Sequence, residues 1–213
     1  MIPAQPRLFW LTLTVIVPAV IIGTFDPEDV DELPDGFESP VLALELAQRA
    51  DDAALVIDGD QRRAALKKAI YFDFAFILVY SFLWFVMGRR VSPIVGILAV
   101  TAGLADVIEN TGMLITIAAP APSLSVTKWT YYASLIKWLQ LGLVFIALFF
   151  YFRPRQGLRD GWDLARLAAG LAYAYSGILC VAGVFVYNPV IERSVLPLSV
   201  ALALQLILSL LTP

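Results

Sequence analysis

Polar and apolar residues alternate along this chain in long blocks. Six apolar runs stand out, near residues 8–23, 69–88, 94–118, 131–152, 164–187 and 194–211. A helix needs ~20 apolar residues to cross hydrocarbon. The pattern therefore predicts an all-α, polytopic membrane helix bundle of about six transmembrane helices. The first run is short and preceded by Arg7 alone. No small-x-small cleavage pattern surrounds Val20, Ile21, Ile22 and Gly23, so it reads as an uncleaved signal anchor. The last run carries Pro197 in its first turn, where proline is tolerated.

Residues 24–68 form an extramembrane insertion between the first two runs. The rest of 1–213 reads as a single integral membrane domain. Residues 26–32 are strongly acidic, and Pro34, Asp35 and Gly36 read as a turn. Ser39 is placed to cap a helix with Pro40 at its first position. Leu42, Leu46, Ala50, Ala53 and Ile57 recur at helical spacing. Glu45, Arg49 and Asp52 face the other way, with Glu45 and Arg49 as an i,i+4 pair. One amphipathic helix is expected, lying on the outer leaflet or covering the bundle. Asp58 and Gly59 break it. The next helix is expected to start near Asp60 and run unbroken into the membrane, with Arg62, Arg63, Lys67 and Lys68 at headgroup level.

Composition narrows the chemistry. Hydrophobic residues make up 60% of the chain and mean hydropathy is +0.79, beyond the range of soluble domains. There is no histidine, which removes His-ligated haem, the usual zinc and copper sites and His general bases. Cys180 is the only cysteine, so neither an intrachain disulfide nor a thiolate metal cage can form. A metal would need oxygen ligands; no metal site and no cofactor are expected. The net charge is −3 and no basic stripe suggests a nucleic-acid partner. Arg89 and Arg90 follow the second run, and Arg153, Arg155 and Arg159 follow the fourth. Together with Arg7 they mark the cytoplasmic side, with both termini inside. Arg49, Arg62, Arg63, Lys67 and Lys68 oppose this from the other side, in a long loop mixed with acids.

The third run holds the strongest chemical signal. Asp106, Glu109 and Asn110 fall within about 100° of one helix face, shared with Ala99, Ala102 and Gly103. Small residues let a neighbouring helix approach, so this face should point into the bundle. Asp73 lies in the second run, with Tyr80 and Trp84 on its face. Lys137 lies in the fourth, flanked by Ser134 and Gln140. At ~1.5 Å per residue, Asp73 is ~8 Å from mid-membrane, Glu109 and Asn110 ~5–6 Å and Lys137 ~7 Å, all on one side. Three acids against one lysine leave two charges uncompensated in low dielectric, which is untenable. At least one carboxyl, Asp106 first, is expected to carry a proton, or else a bound cation or small cationic ligand completes the site. The plainer alternative is a fixed pair of Lys137 with Glu109 or Asp73 that sets helix register, with Asn110 as hydrogen-bond glue.

Other motifs weaken on inspection. Ser134 and Lys137 match S-x-x-K, but S-D-N and K-T-G are absent, and a membrane-helix serine usually bonds its own i−4 carbonyl. Residues 160–166 miss the D-G-x-x-A-R spacing of CDP-alcohol phosphotransferases by one residue and lack the later aspartates. They read as a loop with Asp163 capping the fifth helix. Residues 31–42 place Leu33 and Leu42 at ligand positions of an EF-hand loop, so that set fails. A retinal Schiff base on Lys137 does not suit six helices and a mid-chain lysine. Trp129, Tyr131, Tyr132 and Trp138 read as an interfacial aromatic belt, and Gly170, Ala174, Gly177 and Gly183 make the fifth run a packing helix.

An acid on one helix, D-x-x-E-N on the next and a lysine on the third is similar to bacterial inner-membrane proteins. That likeness implies the location and no activity. Three function classes follow. A proton- or cation-linked transporter or channel component would use Asp106 and Glu109 as the titrating pair, Lys137 and Gln140 beside them, and Asp73 with Tyr80 on the access route. A non-catalytic scaffold or accessory subunit would dock a membrane protein partner through the acidic segment. A lipid-directed enzyme would need carboxylates holding a hard cation, or Lys137; Asp160 and Asp163 have D-x-x-D spacing in a loop, with no further acid near them in sequence. The transport class accounts for the surplus acid best.

Overall fold

The computed structural model describes residues 6–25, 33–34, 36–154 and 157–211. The acidic run 26–32, Asp35 of the expected turn and Arg155 lie outside the described residues. The elements are α1 (Pro6–Gly23), α2 (Pro40–Glu45), α3 (Ala50–Val56), α4 (Asp60–Val91), α5 (Pro93–Ala118), α6 (Leu124–Phe152) and α7 (Gly161–Phe185). A 3₁₀ segment, Asn188–Ser194, leads into α8 (Val195–Leu211). The described residues are all helix and connection, with no strand. Five helices are long and apolar enough to cross a membrane: α4, α5, α6, α7 and the stretch Asn188–Leu210. The sixth expected run is the shorter α1.

Local chemistry sets the helix boundaries. Gly59, at φ 87°, makes the turn into α4, because a residue with a Cβ rarely adopts that backbone. Ser92 separates α4 from α5, and its Oγ accepts from Val95 N at 3.5 Å with Pro93 in the first turn. Ser123 caps α6 in the same way, onto Val126 N at 3.3 Å. The cap of α7 is Asp160, whose Oδ1 accepts from Asp163 N at 2.8 Å. This corrects the expectation for Asp163. That residue lies inside the first turn and accepts from Arg159 N at 3.2 Å.

Helices α4 to α7 pack in chain order, α8 lies on α7, and α1 closes the bundle against α4 and α8. The α6–α7 contact is backbone on backbone. A Cβ on Gly177 would stand 2.5 Å from the Gly142 carbonyl oxygen, so the small residues of α7 do serve packing. One buried polar thread crosses this half: Tyr173 donates to Gln205 at 2.6 Å, and Gln205 donates to Thr12 at 2.6 Å. It ties α7, α8 and α1 with every link made.

The insertion departs from expectation. It is not one amphipathic helix but two short ones, α2 and α3, separated at 46–49. Leu42 and Leu46 pack on Ile191, with Tyr131, Leu135 and Trp138 around them. Ala43, Leu44 and Ala47 pack with α3 and with Leu66, Ile70, Met113 and Ile117. Helix α2 is therefore buried all round, and a stripe period has no meaning there. Glu45 does not face away and does not pair with Arg49. It is 6% exposed, whereas Arg49 reaches Asp52 at 2.7 Å. The break lets α2 descend into the bundle while α3 stays at its rim. At its upper end, the Glu192 carboxylate accepts from Ser39 N at 2.9 Å and Glu38 N at 3.0 Å. Ser39 caps α2 as expected, with Pro40 in its first turn.

Candidate functional site

The site lies where α2, α4, α5 and α6 meet. Helix α5 turns Ala99, Ala102, Asp106, Glu109 and Asn110 inward, each 4% exposed or less. Small residues above the acids allow this. Gly103 lies so close to α4 that a Cβ there would overlap Ser81 Oγ. Helix α6 brings Lys137 to the same place, 4% exposed. Lys137 begins about 20 Å below the start of α6, at ~1.5 Å per residue.

Lys137 Nζ is the centre. It donates to Glu109 Oε1 at 2.7 Å, to Glu45 Oε2 at 3.0 Å and to Asp106 Oδ1 at 3.3 Å. An ammonium has three protons, and here each one meets a carboxylate. Asp106 is held on its other oxygen by the Tyr80 hydroxyl at 2.5 Å. Asp73 is not in direct contact with Lys137; Asn110 Nδ2 donates to its Oδ2 at 2.8 Å. Three carboxylates thus contact one base, and a fourth acid, Asp73, is bonded to Asn110 on the same face of α5. Interhelical attraction compensates desolvation only where hydrogen bonds take up the remaining lone pairs, and they do not all do so. Among the described residues, Glu109 Oε2 is buried with no hydrogen-bond partner. Gln140, one turn from Lys137, is not brought into the network, and its Oε1 is likewise buried without one.

Glu45 is the member that sequence reasoning missed. Its Oε2 accepts from Lys137, from Ser134 Oγ at 3.3 Å and from Trp138 Nε1 at 3.2 Å. Ser134 thus bonds across helices rather than to its own helix. Trp138 is not an interfacial belt residue but a donor at the cluster. Tyr131 also turns inward, donating to Asn188 Oδ1 at 3.3 Å. Trp129 and Tyr132 stay exposed at 42% and 58%, as a belt requires. A signal for Glu45 was present: it is the one charge in the apolar stretch 40–47.

No protein-family model, curated protein or solved structure matches this chain. Its chemistry must be read from its own geometry. A cleft of about 650 Å³ adjoins the site on the side of the insertion. Leu46, Ala47 and Gln48 line it from the insertion, Tyr131 from α6, and Tyr187 and Asn188 from the segment before α8. Leu46, Ala47 and Gln48 line this cleft, and Glu45, the residue before them, bonds into the charged cluster. Among the described residues, no group of His, Cys, Asp or Glu is placed to hold a metal ion. Asp160 caps α7 and Asp163 accepts from Arg159 N, so both carboxylates are engaged at the start of that helix.

Proposed function

We propose that this multi-pass membrane protein is a proton- or cation-linked carrier or channel component in a closed state. The observation that carries the reading is Glu45. An ionisable group from α2, outside the long apolar helices, enters the buried cluster and bonds Lys137, and the three residues after it line an open cleft. Irregular backbone at membrane depth is tolerated where it is buried in protein or lines a cavity, and such segments recur at transport sites. The surplus of carboxyls supports the same reading, since a register pin needs one acid per base. Glu109 Oε2 offers a lone pair where a proton adds without displacing a partner. Asp106 would exchange protons beside it, with Asp73, Asn110 and Tyr80 continuing the polar path along α4. The location follows as the cell membrane, bacterial inner membrane, with both termini cytoplasmic and the insertion outside.

The scaffold reading keeps one specific support. Lys137, Asp106 and Glu109 are 4%, 4% and 0% exposed, as a dry structural tie would be. Flux separates the two. In liposomes, Asp106→Asn and Glu109→Gln should abolish a pH-dependent flux of protons or monovalent cations while the protein stays folded. If both variants match wild type in flux, or wild type carries none above empty liposomes, the transport reading is lost and the scaffold stands.

A further inference from the structure

Glu45 and its partners have the form of a ligand in a binding site. One oxygen, Oε2, accepts from Ser134 Oγ, Lys137 Nζ and Trp138 Nε1 at 3.3, 3.0 and 3.2 Å. Lysine and the indole N–H only donate, so the occupant of this point must be an acceptor. Beside an ammonium, an anionic acceptor is favoured. The two sides are held differently. The donors lie along one turn of α6, which is packed against α5 and α7. The acceptor ends a six-residue helix bounded by non-helical chain.

The departure of Glu45 leaves Lys137 with two carboxylates, Glu109 at 2.7 Å and Asp106 at 3.3 Å, and takes the acceptor from its third proton. It leaves the Trp138 N–H and the Ser134 hydroxyl with no acceptor. The 650 Å³ cleft is the nearest open space on the chain: Leu46, Ala47 and Gln48, which follow Glu45, line it, as does Tyr131, one turn before Ser134 on α6. Leu42, Leu46 and Ile191 pack together with Leu135 and with Trp138 itself, an apolar wall beside the donors.

We propose that Ser134, Lys137 and Trp138 form a binding site for the carboxylate of a small monocarboxylic acid, and that Glu45 occupies it when the insertion is closed. The apolar wall takes a short hydrocarbon end. A second carboxylate on the ligand would face Asp106 and Glu109, with Lys137 already shared, so dicarboxylates are disfavoured. A tethered group acts at an effective concentration of order millimolar, so an external acid competes with Glu45 in that range and binds more readily once Glu45 is removed. The role of the acid as cargo rests on the transport reading; binding does not, and it is measured without flux.

The test uses the purified full chain in detergent, with sodium acetate and propionate as probes against sodium chloride and acetamide at matched ionic strength and pH. In Glu45→Ala, acetate and propionate should raise the thermal unfolding midpoint saturably, with half-saturation at least tenfold below wild type. Chloride and acetamide should not. Adding Trp138→Phe keeps an aromatic side chain, removes the donor and should weaken acetate about tenfold. Glu45→Gln keeps the side-chain volume and should respond in the same direction. The proposal is overturned if a folded Glu45→Ala protein answers acetate no more than chloride. Indifference of the response to Trp138→Phe overturns it too. So does failure of both variants to fold in acetate, since a replaceable occupant is not indispensable. Intact acetate binding alongside unchanged flux in Asp106→Asn would remove the transport reading and leave the site.

Discussion

A double-mutant cycle on Glu45 and Lys137 tests whether the insertion is tied into the membrane bundle. Lys137→Met removes the one cation and leaves Glu45, Asp106 and Glu109 facing each other at contacts that now measure 3.0, 3.3 and 2.7 Å from it. Breaking a buried pair in this way costs about 3–5 kcal/mol. Glu45→Gln is milder. The carboxamide oxygen can still accept from Ser134 and Trp138, and Lys137 keeps two carboxylates. The lost charge assistance amounts to about 1.5–3 kcal/mol. Because the two side chains touch, the double variant should be less destabilised than the sum of the singles by about 1–3 kcal/mol. Reversible unfolding in mixed micelles gives these numbers, and limited proteolysis between α2 and α3 reports on the insertion directly. Additivity within about 0.5 kcal/mol would mean that Glu45 does not dock on Lys137. A larger cost for Glu45→Gln than for Lys137→Met would refute the view that the cation organises the cluster.

Further outcomes follow from other contacts. Gly177→Ala places a methyl 2.5 Å from the Gly142 carbonyl oxygen, so α6 and α7 must separate at a cost of about 1–3 kcal/mol in thermal unfolding; unchanged stability would contradict the close approach. Gln205→Leu removes the acceptor of the buried Tyr173 hydroxyl and should cost about 1–3 kcal/mol, with part of the loss recovered by adding Tyr173→Phe. Arg49→Ala removes a side chain 76% exposed in its pair with Asp52, and should change stability by less than about 1 kcal/mol. A large effect there would restore Arg49 as a structural partner of the insertion.

The class of the fold and half of the site were legible without coordinates. Hydrocarbon thickness sets a length for apolar runs, so block lengths alone located α4 to α8, with α1 at the short limit. Helical geometry makes Asp106, Glu109 and Asn110 share a face, and small neighbours on that face turn it inward. Antiparallel neighbours of similar length then bring Asp73 and Lys137 to the same depth. The partner choice was decided elsewhere. Glu45 is ninety-two residues from Lys137, and no local period links them. Its apparent place on a polar stripe came from reading α2 as a surface helix, when α2 is enclosed on all sides. Only tertiary packing determines which face of an enclosed helix meets which neighbour. For that reason the chain announced its membrane helices and their buried acids, while the folded bundle alone determined that Glu45, from the segment between α1 and α4, completes the cluster.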